Sequence, residues 1–476
     1  MVYYGVMHHL IAHKRITIAA VATCAAILLI ALGAVSYIRG DVAVEDATHP
    51  VAQPRSTASL IAHLLGLDQE RTFLVLLLNN TEIRPAGGFI GTYALVQMKN
   101  AKITNFTMQG SEILDYAAPI RQETYPPPKP MQEYLQVKQW QFRDSNWSPD
   151  FAESSKWGMW LYRFERGELA DKIDGVIGVT TDVLDELVKK TGPVTADGVT
   201  LHPGTAVADL EYEVEYGFNE RNIAVLDRKE IMKDIGEELF RKIMSLGPRG
   251  WVNLAGLAKQ LAREKHLIMY SVHPEIQKTL HDRGWDGAMP SFAETDGFMV
   301  VDANLGAWKT DHAMARNWHY TVRPEGATLR GVLRIQYKHT GVFDWRTVRY
   351  RSYTRVYLPR DAVIESVSGF TNPEIPGSTE PPDYGARPGM QVLGGYIRVA
   401  PGETHELEIV YKLPPRITRD IKEGSYTLLV PKQIGLVEPQ LTVDLDFGKT
   451  IQQAGGVSYA ETRAVREDYA RTLNFD

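Results

Sequence analysis

Residues 73–109 read FLVLLLNNTEIRPAGGFIGTYALVQMKNAKITNFTMQ, and the pattern of this stretch indicates the fold class. The apolar run Phe73–Leu78 stops abruptly at Asn79, and a polar loop leads to a second apolar segment that starts at Phe89. An unbroken apolar run of this length is typical of a strand buried on both faces, as in α/β sheets. Ligands bind at the carboxyl ends of such strands, so the loop is a candidate site.

The rest of the chain changes its pattern once. With 476 residues it is too long for a single core. Strands alternate with helices as far as Gly297–Val301, which is typical of an α/β domain. After Asn317 short alternating segments predominate, which predicts an all-β sandwich. We therefore predict an α/β domain over 59–312, a β-sandwich domain over 313–456 and a loose polar tail over 457–476.

The N-terminal segment predicts a membrane anchor. Residues 16–38 contain no charge and are long enough for a transmembrane helix, which needs about 20 residues. The basic pair at 14–15 places the stub 1–15 in the cytoplasm and the bulk of the chain outside the cell, beyond a polar linker over 39–58. The alternative is a cleaved signal peptide with Ala31–Gly33 as its cleavage site, although the apolar stretch exceeds the about 7–15 residues of a signal core.

Charge and cysteine content exclude several classes of protein. The net charge is -6 and no basic stripe with interleaved aromatic residues is present, so we expect no nucleic-acid partner. The single cysteine, Cys24, lies in the apolar N-terminal segment, so the remainder cannot form a disulfide, a cysteine nucleophile or a cysteine zinc site. The sequence also lacks GxSxG, GxxxxGK[ST], HExxH and a nucleotide-type GxGxxG motif.

The polar loop after the first strand supplies candidate ligand-binding residues. An arginine guanidinium is suited to phosphate or carboxylate, and two glycines let a ligand approach the backbone closely. The candidates are Asn79, Asn80, Glu82, Arg84, Gly87 and Gly88. The structural alternative is a closed loop, in which the asparagines cap the strand end and Glu82 pairs with Arg84.

A second candidate segment, Arg143–Asp150, precedes a predicted helix. The N-terminus of a helix binds anions, and Arg143 would add a cation for phosphate. Asp144 and Asp150 could hold a magnesium ion between protein and phosphate, and Asn146 adds an amide for ligand binding.

Structural alternatives exist for this segment as well. Ser148 would act as the N-cap, Asp150 would face the positive end of the helix, and Arg143 and Asp144 would form a surface ion pair. A third polar segment, residues 302–311, follows the last α/β strand. It is either a wall of the site or a hinge to the β domain.

Long stretches of the chain resemble a bacterial family catalogued as domain of unknown function 4012. They are LLLNNTEIRPAGGFIGTYALV (76–96), RDSNWSPDF (143–151), DGVIGVTTDVLDELVKKTGPV (174–194) and VDANLGAWKTD (301–311). The resemblance covers nearly everything after residue 60. It implies a membrane-anchored, extracytoplasmic protein without an assigned activity.

The order of strands and loops is also similar to that of the LytR-CpsA-Psr phosphotransferases. Those enzymes attach polyprenyl-pyrophosphate-linked glycans to the bacterial cell wall, with arginines that hold pyrophosphate and acidic residues that hold magnesium. The resemblance implies a mixed-sheet α/β fold and an apolar groove for a lipid tail. In this comparison Arg84 matches an arginine of their first loop, and Arg143 with Asp144 would replace, from another loop, the Arg-Asp pair that the enzymes carry after the third strand. An enzyme of this type would use Arg84, Arg143 and Asp144 in catalysis and would hold Mg²⁺ with Asp144 and Asp150.

Two functions remain open from the sequence. One is a glycan phosphotransferase that uses polyprenyl-pyrophosphate donors at the outer surface of the membrane. The other is a binding or assembly protein that holds a lipid-linked glycan or a cell-wall polymer without turnover. The chain departs from the enzymes near Ala86–Gly87, where they have an acidic residue, and near Gly110–Glu112, where they have an arginine. Phosphoryl transfer depends on such charges, so neither function is preferred.

Overall fold

A computed structural model describes residues 54–117, 125–224, 228, 230–372 and 374–476, with side chains except at 54–57 and 117. The predicted stub 1–15, the predicted transmembrane segment 16–38 and most of the predicted linker 39–58 lie outside these ranges. No helix within them is long and apolar enough to cross a membrane.

Helices and strands alternate in the first part of the chain, and strands dominate the second part. The helices are α1 (Pro54–Leu64), α2 (Ser111–Ala117), α3 (Lys129–Tyr134), α4 (Phe151–Phe164), α5 (Thr181–Thr191), α6 (Ala206–Tyr212), α7 (Phe218–Glu220), α8 (Glu230–Met244), α9 (Pro248–Arg263), α10 (Pro274–Asp282) and α11 (Pro415–Lys422). The earlier strands are β1 (Arg71–Asn79), β2 (Phe89–Lys99), β3 (Lys102–Gly110), β4 (Gly175–Thr180), β5 (Val194–Ala196), β6 (Val199–Leu201), β7 (Leu267–Ser271), β8 (Asp296–Gly297) and β9 (Met299–Asn304). The later strands are β10 (Met314–Glu325), β11 (Thr328–His339), β12 (Tyr350–Pro359), β13 (Val363–Ser368), β14 (Asp383–Arg387), β15 (Met390–Val399), β16 (Thr404–Lys412), β17 (Ser425–Val430), β18 (Gln440–Ile451), β19 (Gly456–Ala464) and β20 (Tyr469–Asn474). This order agrees with the predicted α/β part followed by a β-rich part.

The chain forms two compact units that alternate along the sequence. The first unit contains the described parts of residues 1–78, 90–120 and 155–287, and the second those of 79–89, 121–154 and 288–476. The loop that joins β1 to β2 thus groups with the β-rich part of the chain. The predicted limits 59–312 and 313–456 assign this loop to the α/β domain. They stay predictions, because compactness does not test where independently folding domains end.

The first unit is built on a five-stranded sheet with the order β3-β2-β1-β4-β7. Strands β1 and β4 run parallel, whereas β2 with β3 and β4 with β7 run antiparallel, so the sheet is mixed. The apolar run in β1 is almost entirely buried, as its sequence predicts. Helices α5, α8 and α9 cover the sheet and bury Leu187, Ile235 and Leu257 in a common core with Val75 and Ile177.

The second unit contains a six-stranded sheet with the order β13-β16-β11-β10-β18-β19 and a four-stranded sheet with the order β14-β15-β12-β9. Trp318 and Leu333 of the larger sheet share one core with Val356 and Leu393 of the smaller sheet. Two sheets that bury their inner faces together in this way are the basis of a β-sandwich. A three-stranded sheet, β20-β17-β8, completes the unit.

The prediction of a loose tail over 457–476 is wrong. Strand β19 pairs antiparallel with β18, and β20 pairs antiparallel with β17. The segment is polar in sequence because β19 is an edge strand whose side chains are largely exposed. In β20, by contrast, Tyr469 and Leu473 are buried. The polar composition of β19 reflects the exposure of its side chains, since an antiparallel sheet can have one face in water.

The core of the second unit encloses an arginine between two carboxylates. Arg316 on β10 donates from Nε to Asp302 Oδ2 at 2.7 Å and from Nη2 to Asp311 Oδ1 at 2.6 Å. Tyr337 donates to Asp302 at 2.8 Å, and Tyr350 donates to Asp311 at 2.9 Å. Burial opposes the charge, but Tyr350 and the two carboxylates raise the pKa of Arg316 well above its ordinary value. The arginine therefore stays ionised inside the core.

Replacement of Arg316 by methionine should destabilise the second unit strongly, because Asp302 and Asp311 would keep buried charges without a cation. Loss of one partner of a buried ion pair typically costs about 3–5 kcal/mol. Arg323→Met is the matched control, since Arg323 lies on the same strand and pairs with Asp444 where both side chains are partly exposed. Such a pair contributes about 0–1 kcal/mol. Urea denaturation followed by tryptophan fluorescence measures both variants, and equal losses would contradict the importance of the buried network.

Candidate functional site

The polar loop after β1 is fixed by its backbone. The Ile83 N–H donates to Asp311 Oδ2 at 3.0 Å, and the Ile83 carbonyl accepts from the Asn304 N–H at 2.9 Å. Gln433 Nε2 donates to the Arg84 carbonyl at 3.1 Å. These hydrogen bonds join main-chain groups of the loop to buried partners, and they therefore restrict its conformation.

The amides that the sequence offers as ligand-binding groups contact the protein itself. Asn79 caps the turn that begins the loop by accepting from the Thr81 N–H. Asn80 Nδ2 donates to the Gly435 carbonyl at 2.7 Å, and Asn146 Nδ2 donates to a carbonyl of the loop at 2.6 Å. The capping expected in the structural alternative is therefore present at Asn79.

The two glycines allow close approach of backbone to backbone. A Cβ atom on Gly88 would lie 2.4 Å from the carbonyl of Asn79, so no other residue fits there. Gly87 has a φ of +116°, and a Cβ on the facing Gly435 would lie 2.2 Å from the Gly87 carbonyl oxygen. The Gly87 N–H donates to the carbonyl of Arg84 at 3.0 Å. The pair thus closes the loop.

The Arg84 guanidinium is enclosed, and its side chain is only 3% exposed. Nη1 donates to the Asn304 carbonyl, and Nη2 donates to Glu82 Oε1 at 3.0 Å. Nε lies 3.7 Å from Asp144 Oδ1, and the guanidinium carbon lies 5.3 Å from the centre of the Phe89 ring. We call Glu82, Arg84 and Asp144 the Arg84 cluster. Its Glu82–Arg84 pair is the contact that the structural alternative expects.

Two carboxylates of the cluster share a single arginine. Burial raises the pKa of Glu82 and of Asp144, and Arg84 opposes both shifts. Lys309 also opposes the shift of Glu82, and Arg143, next to Asp144 in the chain, opposes that of Asp144. Both carboxyl groups therefore accept a proton more readily than exposed ones do.

Several buried polar atoms at this site have no hydrogen-bond partner among the described residues. They are Arg84 Nε, Asp144 Oδ1, Ser145 Oγ and Asn146 Oδ1. Arg84 Nε and Asp144 Oδ1 lie 3.7 Å apart as an ion pair. Most buried polar atoms in proteins are hydrogen-bonded, so the remaining two atoms, on the consecutive residues Ser145 and Asn146, are exceptions.

Asp150 serves the start of a helix. Its Oδ1 accepts from the Glu153 N–H at 2.9 Å, and its Oδ2 accepts from the Met289 N–H at 3.1 Å. Because α4 begins at Phe151, Asp150 occupies the capping position that the sequence assigns to Ser148. Ser148 instead accepts from the Asp150 N–H through its hydroxyl at 3.2 Å.

The pair Asp144 and Asp150 does not fit a magnesium site. Magnesium requires several oxygen ligands in near-octahedral geometry. Both carboxylate oxygens of Asp150 are engaged by backbone N–H groups, and Asp144 faces the Arg84 guanidinium. Within the part of the chain that the structure describes, no group of three or more His, Cys, Asp or Glu residues could hold a metal ion.

A second charged cluster lies in the first unit and was not predicted from the sequence. Arg71 Nη1 donates to Asp174 Oδ1 at 3.0 Å, and His273 Nε2 lies 2.8 Å from the same oxygen. The ring of His63 packs edge-on against that of His273, with centroids 4.9 Å apart. Burial, followed by Arg71, lowers the pKa of His63 to about 4, so this ring is neutral at pH 7. The signal in the sequence was limited to an aspartate directly before a buried strand.

Asp144→Asn should flatten the pH dependence of stability. A raised pKa means that the folded protein binds this proton more tightly than the unfolded chain does. Its contribution is complete below the ordinary carboxyl pKa of about 4 and is lost as pH rises through the raised value. Stability of the wild type should therefore fall across this window, and that of the variant should fall less.

Asp171→Asn is the control for removal of one negative charge, since the Asp171 side chain is 83% exposed. Urea denaturation between about pH 4 and 8 gives the slopes. An unchanged slope in Asp144→Asn would mean that attraction to Arg84 cancels the effect of burial, and a steeper fall would mean that the attraction outweighs it.

Similarity to solved structures is weak. A nutrient binding protein from Legionella pneumophila has a TM-score of 0.25 and 6% identity, with 38% of this chain and 70% of that chain covered. Leukotriene A4 hydrolase from Saccharomyces cerevisiae has a TM-score of 0.20 and 10% identity, over 35% of this chain and 29% of that one. An M1 zinc metallopeptidase from Deinococcus radiodurans has a TM-score of 0.17 and 13% identity, over 34% and 42%. The chain spans less than half of the latter two proteins, and similarity at this level supports no conclusion on fold or activity.

One family model matches part of the sequence. A search of the curated proteins finds no match. Residues 68–214 match the family model described as Protein of unknown function (DUF4012), which supports for this part of the chain the resemblance seen in its motifs.

Proposed function

We propose that this chain is a membrane-anchored, extracytoplasmic protein of the cell envelope that binds lipid-linked glycans or cell-wall polymers without turnover. The uncharged segment 16–38 supports the anchor. The class of ligand follows from the resemblance between the motif order of this sequence and that of the LytR-CpsA-Psr phosphotransferases. The choice of a binding protein over an enzyme rests on the Arg84 cluster.

The burial of Arg84 is the observation that favours binding without chemistry. A phosphotransferase needs cationic groups that reach the phosphates of its substrate, because its catalysis depends on positioned charge. In this chain the Arg84 side chain is almost fully buried, and its two terminal nitrogens donate to Asn304 and Glu82. The guanidinium is therefore committed to the interior of the protein.

The carboxylates of Asp144 and Asp150 also do not support magnesium binding of the kind that the enzymes use. Asp150 uses both oxygens to accept from backbone N–H groups, and Asp144 faces Arg84. Without a cation to bridge the phosphates, the charge that develops during phosphoryl transfer would stay unbalanced.

The ligand contacts that we propose lie on residues 144–146. Ser145 Oγ and Asn146 Oδ1 are buried atoms without a partner among the described residues, and the hydroxyl groups of a glycan can donate to and accept from such atoms. A ligand reaches them when residues 144–146 open, a movement that leaves the bonds of Arg84 to Asn304 and Glu82 in place. The small population of the open state then weakens the apparent affinity.

The full-length protein in detergent should bind a polyprenyl-pyrophosphate-linked glycan in the presence of Mg²⁺ and leave its pyrophosphate bond intact. Equilibrium binding to the labelled lipid measures the first property, and chromatography of the lipid products measures the second. Turnover that Arg84→Ala abolishes would establish a phosphotransferase instead. Absence of both binding and turnover would exclude both functions.

Ser145→Ala should weaken glycan binding by about two- to tenfold, the value of one hydrogen bond. The stability of the free protein should stay unchanged or rise, because the lost hydroxyl has no internal partner. Ser155→Ala is the matched control, since Ser155 on α4 is also buried with an unpartnered hydroxyl but belongs to the first unit. Equal effects of the two variants on affinity would argue against contact at residues 144–146.

A further inference from the structure

Three large apolar side chains are exposed on two joined loops of the second unit. Trp308, between β9 and β10, is 56% exposed, and Val342 and Phe343, between β11 and β12, are 70% and 63% exposed. Backbone pairing of Trp308 with Thr347 joins the two loops. Single exposed apolar residues are common, but a group of this size marks an interaction site. We call Trp308, Val342 and Phe343 the apolar tip.

The apolar tip is held in a defined conformation. Asp344 Oδ1 accepts from the N–H groups of Arg346 at 2.8 Å and Thr347 at 2.6 Å, which fixes the turn after Phe343. Trp308 has a φ of +47°, a left-handed conformation that bulky residues rarely adopt. Asn304 Nδ2 donates to its carbonyl at 3.0 Å and keeps it there. Strain that the surrounding structure maintains is typical of functional positions.

Cationic residues flank the apolar tip. Lys309 follows Trp308 directly, and residues 338–349 contain three cations and one acid: Lys338, Arg346, Arg349 and Asp344. The net charge of this segment is therefore positive, whereas the whole chain has a net charge of -6. Aromatic and apolar side chains beside lysine and arginine are the composition that binds the surface of an anionic bilayer.

We propose that the apolar tip docks the second unit on an anionic lipid bilayer. Trp308 and Phe343 enter the interface between headgroups and acyl chains, and the excess of positive charge in the segment 338–349 attracts the lipid phosphates. Tryptophan suits this depth because its ring is apolar and its N–H is polar. A stable protein partner would need a broad contact surface of several hundred square ångströms on each side. Two loop tips, by contrast, can insert into a bilayer while the protein surface around them stays exposed to water. The proposal does not depend on glycan binding.

The single cysteine of the chain makes a direct test available. In full-length protein with Cys24→Ser, an environment-sensitive nitrobenzoxadiazole dye is attached at Phe343→Cys, and the protein is reconstituted in phosphatidylcholine vesicles that contain phosphatidylglycerol. Tyr384→Cys is the matched control, because Tyr384 is a 69% exposed aromatic residue on β14 of the same unit. Both replaced side chains are exposed, so the fold should tolerate the changes, and circular dichroism checks this.

We expect blue-shifted emission and quenching by nitroxide-labelled lipids for the dye at 343 and neither effect for the dye at 384. Both effects should decrease at least severalfold when phosphatidylglycerol is omitted or when Trp308→Ser and Val342→Ser are added. Equally aqueous emission at the two positions would overturn the proposal. A blue shift without quenching by lipid nitroxides would also overturn it, since the occupant would then be a protein.

Discussion

The ion triplet of Asp302, Arg316 and Asp311 is the constraint on which the second unit depends. Each carboxylate gives one oxygen to Arg316. The other oxygen of Asp311 accepts from the Ile83 N–H. The Asp302 N–H donates to the side-chain oxygen of Gln433, and the Asp302 carbonyl accepts from the side-chain nitrogen of Gln433. The residues that balance one buried cation thus also fix the loop after β1. Because buried ion pairs often contribute little net stability, we infer that these contacts act mainly by holding that loop in one position.

Local patterns were sufficient to predict the elements around β1. The run Phe73–Leu78 and the segments after it have strand periodicity and a turn between them, and all three strands are observed. The tail was mispredicted because a polar edge strand has the composition of a loop. Hydrophobic pattern reports burial, whereas pairing at a sheet edge depends on backbone groups that the pattern does not reveal.

The local contacts of the candidate site, such as the Glu82–Arg84 pair, could be predicted from the sequence, whereas its long-range contacts could not. Arg84, Glu82 and Asp144 do come together, although Asp150 remains with its helix. The arginine is enclosed because Asn304, 220 residues away, supplies a carbonyl for it. No local rule predicts such a partner. The same holds for Arg71 and Asp174, which are 103 residues apart and belong to common residue types.

The alternation of the two units along the chain has a consequence for how the protein forms. Asn80 donates a hydrogen bond to the carbonyl of Gly435, 355 residues later in the chain. The Arg84 carbonyl accepts a hydrogen bond from Gln433, 349 residues later. The contact order of the second unit is therefore high, and closure of so long a loop must precede its stabilising contacts, so folding should be slow. A ribosome that releases the chain from its N-terminus would leave these two bonds unformed until residues 433–435 emerge. During that interval exposed strands are prone to aggregate, so chaperone assistance matters more than for a protein with sequential domains.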